Sequence, residues 1–409
     1  MNGNVDNLHL RNLGDMKRFA ASYIYTLDGE PLRNGFVEVG EDGTVIRTGV
    51  CGDPASEENF YNGAIVPGFV NSHCHVELSH LKGRFRKGSG MAGFIDQINE
   101  LRDVVSRDGK IALLKDEMDS LWSKGVSAMA DISNCDDSFA VKAASPMYTR
   151  TFIEVFGTEP EDCGSVIASA KKLKRTADSY GLDASVTPHA CYTMSPELVT
   201  AAAAEGLSTG YISYHSQESD QEEDMIRYGT GEMVENRRRA GMSMPPVTGT
   251  SSLEYFIGRL KKVHEAPFTE HILLVHNVHL DGVAAHAALD VMRNVYWAVC
   301  PLSNQFINNQ LPPIDLMRSL GLKITVGTDS LSSNDSLDMV KELYCLKAAF
   351  PHVSMNELFT WACLNGAEFL SKEDVFGSIV TGKRPGLVLV DGLDGNGGLT
   401  SSSTSSRIC

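Results

Sequence analysis

The sequence is poor in basic residues, and this bounds the kind of partner it can have. Its 36 Lys and Arg stand against 52 Asp and Glu, which gives a net charge of −16. Because affinity for nucleic acid comes mostly from neutralising phosphates, this balance argues against nucleic acid as the main partner. The three consecutive arginines at 237–239 form a local basic run, which we interpret as a solvated helix face.

Long apolar runs and paired cysteines are also missing. No segment approaches the roughly 18 apolar residues of a membrane-spanning helix, and the opening MNGNVDNLHL lacks the apolar core of a signal peptide. Nine cysteines are scattered without a Cys-x-x-Cys pair, which favours reduced, buried thiols. We therefore expect a cytoplasmic protein without a membrane partner, and a mobile polar tail over 401–409.

Several catalytic signatures are absent as well. The chain has no HExxH, GxSxG, Walker A or PCxxC motif. The segment GSGMAG at 88–93 matches the GxGxxG pattern of dinucleotide-binding proteins, but it follows a polar, basic stretch and not a strand. We interpret it as a flexible lid loop whose glycines permit hinge motion.

What the sequence does contain is an alternation of apolar strand candidates with amphipathic helix candidates. Hydrophobic residues make up 42% of the 409 positions and charged residues 22%, as in a folded globular protein. Eight strand candidates end near positions 73, 133, 157, 190, 216, 278, 304 and 330. This pattern predicts a (β/α)₈ barrel, while a doubly wound sheet, the structural alternative, more usually has about five or six strands.

Both chain ends have a different pattern. Residues 18–49 alternate apolar and polar side chains and contain Asp-Gly at 28–29 and 42–43, which is typical of β-hairpins. Residues 378–394 are β-like again. We predict an α/β protein with a TIM barrel over 65–370 and a small β-sandwich domain built from 1–64 and from 371–409, the second part including the polar tail.

Histidines concentrate at the predicted strand ends, where a barrel places its catalytic groups. His73 and His75 are two residues apart, so in an extended segment both rings point the same way and can reach one cation. Other strand candidates end in His189, His215, His276 and Asp329. Burying these groups together without a metal would leave polar atoms unpaired, so the pattern indicates a metal site.

Glu218 follows His215 by three residues and is the candidate general acid or base. At that spacing a carboxylate can lie beside a metal-activated water without binding the metal. The alternative is that Glu218 only opens the acidic helix candidate at 218–225, since acidic residues suit a helix N-terminus.

Six segments together resemble the amidohydrolase superfamily, in its branch of aromatic-amine deaminases and triazine hydrolases. They are VPGFVNSHCHVELS (66–79), TPHACYTMSPEL (187–198), YHSQES (214–219), VHNVHLD (275–281), CPLSNQFI (300–307) and VGTDSLSSNDSLDM (326–339). The resemblance implies one divalent metal, usually zinc and sometimes iron, held by His73, His75, His215 and Asp329. It also implies that Glu218 moves protons and that His276 hydrogen-bonds the activated water. No lysine ends the fourth strand candidate, so the bridged two-metal form is not expected.

Within this branch the chain is most similar to adenosine-type deaminases, in particular the aminofutalosine and S-adenosylhomocysteine/methylthioadenosine deaminases. The similar segments are HVELSHLKG (75–83), the lid up to Arg102, RTFIEVFG (150–157) and PHACYT. The resemblance implies that His189 contacts substrate and makes Arg102 and Arg150 candidates for the same role. Cys191 replaces the usual proline, and Phe94 stands where homocysteine-nucleoside deaminases carry tryptophan, so the particular substrate stays open.

The expected function is hydrolytic deamination of a small aromatic amine, with an adenine nucleoside favoured. In this mechanism Asp329 accepts a proton from the water and Glu218 protonates a ring nitrogen. The alternatives are hydrolysis of another C–N or C–Cl bond, in a triazine, guanine, pterin or cyclic amide, and lastly a noncatalytic binding protein. Whether the chain forms a homo-oligomer is left open.

Overall fold

The computed structural model describes residues 16–409. The strands of this region are β1 (Lys17–Ile24), β2 (Leu32–Val39), β3 (Val45–Val50), β4 (Phe60–Pro67), β5 (Phe69–Cys74), β6 (Val126–Ser133), β7 (Tyr148–Val155), β8 (Asp183–Pro188), β9 (Tyr211–Ser216), β10 (Phe268–His276), β11 (Met292–Val299), β12 (Ile324–Val326), β13 (Leu387–Asp391) and β14 (Thr404–Arg407). The α-helices are α1 (Gly90–Leu101), α2 (Arg107–Ser123), α3 (Phe139–Ala144), α4 (Cys163–Ser179), α5 (Pro196–Thr209), α6 (Asp220–Tyr228), α7 (Glu232–Ala240), α8 (Ser252–Leu260), α9 (Gly282–Val291), α10 (Pro301–Asn308), α11 (Ile314–Ser319), α12 (Met339–Ala349), α13 (Met355–Phe359) and α14 (Asn365–Phe369).

The eight strands β5 to β12 carry the barrel segment, and all eight sequence candidates are strands. They form two four-stranded parallel sheets, β5-β6-β7-β8 and β9-β10-β11-β12. A bridge between Cys74 and Asp329 joins β5 to the chain just after β12. At the other edges of the two sheets, where β8 meets β9, the His215 amide donates to the His189 carbonyl oxygen at 2.9 Å. The predicted α/β fold with parallel strands is confirmed.

Local sequence explains why these elements form. β6 is buried at all eight positions, as expected for a parallel strand covered on both faces. Helix α5 begins at the cap Ser195, whose side chain accepts from the Leu198 amide, and has Pro196 in its first turn. It ends at Gly210, whose φ of 82° is the left-handed conformation that glycine adopts without strain.

Both chain ends join in one β domain, as predicted, but as a single mixed sheet instead of two packed sheets. Its strand order is β14-β13-β4-β1-β2-β3. Side chains from this sheet, including Tyr25, Val66 and Val388, belong to the same apolar core as the barrel. The barrel therefore supplies the layer that a second sheet would have provided.

The C-terminal tail, expected to be mobile, is instead part of this sheet. β14 pairs antiparallel with β13, with Arg407 opposite Val388. The Arg407 guanidinium carbon lies 3.6 Å from the Trp122 ring centroid, and Nη2 donates to the Val126 carbonyl oxygen at 3.0 Å. The contacts of Arg407 and the four residue pairs between β13 and β14 thus hold a serine-rich segment in the sheet.

Two other segments differ from the sequence expectation. The GSGMAG segment does not remain a loop, because helix α1 begins at Gly90 and its Ala92 amide donates to Gln221 Oε1 at 2.8 Å. Of the three arginines at 237–239, Arg237 is buried, and only Arg238 and Arg239 are solvated.

Two further observations concern the cysteines and the apolar character of the helices. All nine cysteines are free thiols, six of them buried. Between residues 16 and 409, no helix combines the length and the apolar character that crossing a bilayer requires.

Candidate metal centre and active site

The predicted ligands meet at the carboxyl ends of β5, β9 and β12. The Nε2 atoms of His73 and His75 are 3.0 Å apart and lie 3.8 and 3.5 Å from Asp329 Oδ1. The His215 ring centroid is 4.8 Å from that of His73 and 5.6 Å from that of His75. All four side chains are buried, so the structure brings together the full ligand set predicted from sequence.

This donor set fits a divalent metal. Burial and the neighbouring histidines lower the pKa of His73 and of His215 well below the usual value, so both rings are neutral and keep a lone pair. Burial alone would raise the pKa of Asp329, but His75, His276 and His73 hold it at about 2. Neutral imidazoles with one carboxylate are the ligands that zinc and similar ions prefer.

Asp329 is oriented by two serines. Ser303 and Ser333 both donate hydroxyl hydrogens to its Oδ2, at 2.6 and 2.8 Å. The other oxygen, Oδ1, faces His73 and His75. Asp329 therefore presents one fixed oxygen to the ligand cluster.

The backbone at this end of the barrel is strained. Of the eight non-glycine residues with positive φ among residues 16–409, four lie at these strand ends: Gln217, His276, Asn277 and Asp329. Such conformations cost on the order of 1–3 kcal/mol each and cluster at functional sites. Gly327 allows β12 to approach β5, because a Cβ there would lie 2.8 Å from the His73 Cβ.

Glu218 lies beside the ligand cluster, just before helix α6, and is buried. Its Oε2 accepts from the Tyr192 hydroxyl at 2.7 Å, and its Oε1 is 3.3 Å from His276 Nε2. Burial and the nearby Asp329 raise its pKa well above the usual value. Because a buried carboxyl group with a raised pKa beside the ligand cluster is suited to general acid chemistry, its placement favours the catalytic interpretation of Glu218 over the helix-cap alternative.

His276 is held by a residue that the sequence did not single out. Asn304 Nδ2 lies 3.0 Å from His276 Nδ1, and both side chains are buried. The Nε2 of His276 has no hydrogen-bond partner within residues 16–409 that meets standard geometry. His276 is therefore oriented with one nitrogen tied and the other free toward Glu218.

A cavity of about 150 Å³ opens above these groups. Its lining combines apolar side chains, most of them from helix α1, with polar ones that include His189, Glu218 and His276. The apolar side chains of the lining are Leu78, Met91, Phe94, Ile95, Ile98 and Phe156. A cavity that combines apolar contact with a few polar groups suits a heteroaromatic ring.

Of the three predicted substrate contacts, the structure places two in this cavity. The His189 ring stacks on His215 with centroids 4.4 Å apart, and burial with the nearby His75 and His276 lowers its pKa to about 3. Arg102 lies at the outer edge of the cavity, with its guanidinium carbon 5.8 Å from the Phe156 ring centroid.

Arg150 does not belong to the cavity, and the prediction that it contacts substrate is corrected. It is the third residue of β7, at the end of the strand away from the site. Its guanidinium carbon lies 3.6 Å from the Tyr211 ring centroid, and Nη2 is 3.8 Å from Asp183 Oδ2. Only the carboxyl end of a barrel strand faces the site, and Arg150 lies near the opposite, amino end of β7.

The residue of β7 that does face the cavity is Glu154, which sequence reasoning missed. Its Oε1 lies 3.4 Å from His215 Nδ1, and burial raises its pKa to about 8. The available signal was a carboxylate within the apolar run FIEVF, at the carboxyl end of a strand candidate.

A second buried polar cluster lies next to the site. Lys142 Nζ contacts Asp131 Oδ2 at 2.6 Å, and both side chains are fully buried. Lys142 also donates to Ser133 Oγ at 2.7 Å. The other oxygen of Asp131 accepts from the Val76 amide at 2.9 Å, directly after His75. This ion pair thus fixes the chain that carries one of the ligands.

Comparison with known proteins gives a family match over most of the chain. Residues 64–406 match the sequence pattern described as the Amidohydrolase family. The aminodeoxyfutalosine deaminase of a Nitratiruptor species is 25% identical over 348 residues, covering 82% of this chain and 81% of the relative. The 5-methylthioadenosine/S-adenosylhomocysteine deaminase of Moorella thermoacetica is 24% identical over 344 residues, covering 80% of this chain and 73% of the relative.

A solved structure shows the same fold. The Helicobacter pylori aminofutalosine deaminase, crystallised with methylthio-coformycin, superposes with a TM-score of 0.76 at 22% identity. The superposition covers 94% of this chain and 93% of that one.

Proposed function

The chain belongs to the amidohydrolase family, and from this premise we propose that it is a metal-dependent deaminase that hydrolyses the exocyclic amine of an adenine-nucleoside-like compound. Family membership and the deaminase relatives support a hydrolase acting on carbon–nitrogen bonds. The observation that supports deamination most strongly is the cavity in which Glu218 lies beside the His/Asp cluster.

The metal is one divalent ion, zinc in the first place and iron as the alternative. His73, His75, His215 and Asp329 would hold it. An ion of this kind, when bound, lowers the pKa of a coordinated water to about 7. β8 ends in Thr187 and Pro188, so no lysine is present there to bridge a second ion.

The chain's own residues supply the proton transfers. Asp329 Oδ1 accepts a proton from the attacking water, and His276 orients that water. Glu218 Oε1 delivers a proton to a ring nitrogen, which makes the amine-bearing carbon more electrophilic. The hydroxide adds to that carbon, the proton held by Asp329 passes to the amine, and the C–N bond breaks as ammonia leaves. The proton of the new hydroxyl group returns to Glu218, so that the amine is replaced by a carbonyl.

Two features of the cavity favour a small nucleoside-like molecule as the substrate. The apolar side chains of α1 offer contact to a bound ring and exclude water from it, and the polar His189 lines the same cavity. Arg102 lines the same cavity, so its guanidinium is available for an acidic group on the substrate's tail.

Ammonia release from a substrate panel tests the proposal. The panel contains adenosine, 5′-deoxyadenosine, methylthioadenosine, S-adenosylhomocysteine, aminodeoxyfutalosine, guanine, an aminopterin, cytosine and a chlorotriazine. We expect turnover of at least one adenine nucleoside. If every purine stays intact while the triazine loses chloride, the alternative function, hydrolysis of another C–N or C–Cl bond, replaces deamination.

The remaining expectations are part of the same proposal. They are a cytoplasmic location, the absence of a nucleic-acid partner, and the division of the chain into 1–64, 65–370 and 371–409.

A further inference from the structure

Glu218 is held at two points by residues that neither the motifs nor the family assignment singled out. The Tyr192 hydroxyl donates to Oε2 of its side chain at 2.7 Å. At its backbone, the Glu218 amide donates to Glu222 Oε2 at 2.7 Å, and the preceding Gln217 amide donates to Glu222 Oε1 at 3.1 Å. Both oxygens of the fully buried Glu222 are thus used to fix two consecutive peptide units.

These contacts counter a local conformational cost. Gln217 has a φ of 50°, a conformation that a side chain-bearing residue rarely adopts. A carboxylate accepting two amide hydrogens is a strong, geometrically defined anchor. The paired hydrogen bonds that Glu222 accepts therefore explain why the turn that presents Glu218 persists.

Tyr192 is itself anchored, so its hydroxyl has little freedom. Its carbonyl oxygen accepts from Nη2 of the buried Arg237 at 2.9 Å, and Nη1 of the same arginine donates to the Ser243 carbonyl oxygen at 2.7 Å. The tyrosine ring packs in an apolar cluster with Met225, Met233 and Tyr255. The buried Arg237 on α7 thus holds the loop that positions the phenol.

We propose that Tyr192 and Glu222 are positioning residues that make Oε1 of Glu218 the oxygen that transfers the proton. Tyr192 occupies Oε2 and prevents rotation of the carboxyl group, while Glu222 sets the backbone from which it projects. Oε1 is then the oxygen that faces His276, 3.3 Å from its Nε2. This assignment rests on the proposed function, in which Glu218 is the proton shuttle.

The hydrogen bond from Tyr192 also affects the acidity of Glu218. The groups that face this carboxyl are Tyr192, Glu222, Asp329, Glu154 and His276. Burial and the carboxylates raise the pKa of Glu218, whereas the hydrogen bond from Tyr192 lowers it. Removing the phenol hydroxyl should therefore raise that pKa further.

The deciding variant is Tyr192→Phe. Loss of a hydrogen bond to a charged group predicts a fall in kcat of roughly 10- to 100-fold, with metal content unchanged. The limb of the pH–rate profile that reports Glu218 should move to higher pH. Tyr255→Phe is the matched control, because it removes a buried hydroxyl of the same cluster that has no hydrogen-bond partner in the described part of the chain.

A second variant, Glu222→Gln, keeps one acceptor oxygen and turns an amide group toward a backbone N–H. It should lower kcat more than it changes KM, again with the metal retained. If Glu222→Gln does not fold, Tyr192→Phe alone decides.

An infrared readout separates this inference from the proposed function. The carboxyl stretch of Glu218 is identified as the band that disappears in Glu218→Gln, and it can be titrated in the metal-loaded protein without any substrate. In Tyr192→Phe its midpoint should shift to higher pH, whichever reaction the enzyme catalyses. An unshifted midpoint, or a kcat equal to that of the wild type, would overturn the assignment of Tyr192.

Discussion

Two buried polar clusters lie side by side in this barrel, and they differ in whether their charges are satisfied. In the first, Asp131 and Lys142 neutralise each other and their remaining polar atoms bond to Val76 and Ser133. In the second, three histidines and Asp329 converge without any lysine or arginine in contact among the described residues. Buried charges alone therefore do not identify a functional site. Several metal-ligating side chains that converge without a countercharge do.

The largest expected effect comes from removing a donor of the second cluster. His73→Ala should abolish metal binding and activity, because three remaining donors hold a divalent ion much more weakly. Elemental analysis should give about one equivalent of zinc plus iron for the wild type and almost none for the variant, which should still fold. A variant with a full equivalent of metal would contradict the ligand assignment, and two equivalents in the wild type would contradict the mononuclear site.

The second-largest effect is expected from breaking the ion pair between Lys142 and Asp131 in the first cluster. Lys142→Met leaves the Asp131 carboxylate buried and unpaired, which should cost on the order of 3–5 kcal/mol in the free energy of unfolding. Lys115→Met is the control, since the pair of Lys115 with Asp119 is exposed to solvent and should contribute little to stability. Urea denaturation of both variants measures the difference. Equal stabilities would mean that the buried pair is not the structural anchor described here.

The smallest effect is expected at Arg150. Because its guanidinium stacks on Tyr211 at the far end of β7, Arg150→Met should change kcat/KM by less than about twofold and cost roughly 1 kcal/mol or less in stability. Arg102→Met, the same change at the cavity edge, should instead raise KM for a nucleoside with an acidic tail. A large loss of activity in Arg150→Met would restore the role first predicted for that residue.

The sequence predicted the barrel well because parallel strands are apolar on both faces. Runs such as 126–133 and 211–216 are buried along nearly their whole length, and the second carries His215 at its carboxyl end. The direction of each strand then fixes which residues face the site. Applied to β7, that rule would have selected Glu154 over Arg150, but the resemblance covered both ends of the segment and did not distinguish them.

Other features depended on contacts that no local pattern contains. The serine-rich tail is ordered by Arg407 lying on Trp122, and Arg237 is buried because it reaches the Tyr192 carbonyl oxygen. Tyr192 and Asn304 were not identified for the same reason, since their roles arise from partners 26 and 28 residues away in sequence. Residue type and spacing, together with the family resemblance, predicted the candidate metal ligands, and tertiary contacts determine what orients them.

The central claim is that Glu218 moves a proton and does not bind the metal. Glu218→Gln keeps the size of the side chain and removes its titratable carboxyl group. Metal content and single-turnover ammonia release, measured on one preparation of this variant, test the claim directly. We expect a full equivalent of metal and a fall in the rate of at least ~10²-fold. A fully metallated Glu218→Gln enzyme that releases ammonia at the wild-type rate would contradict it.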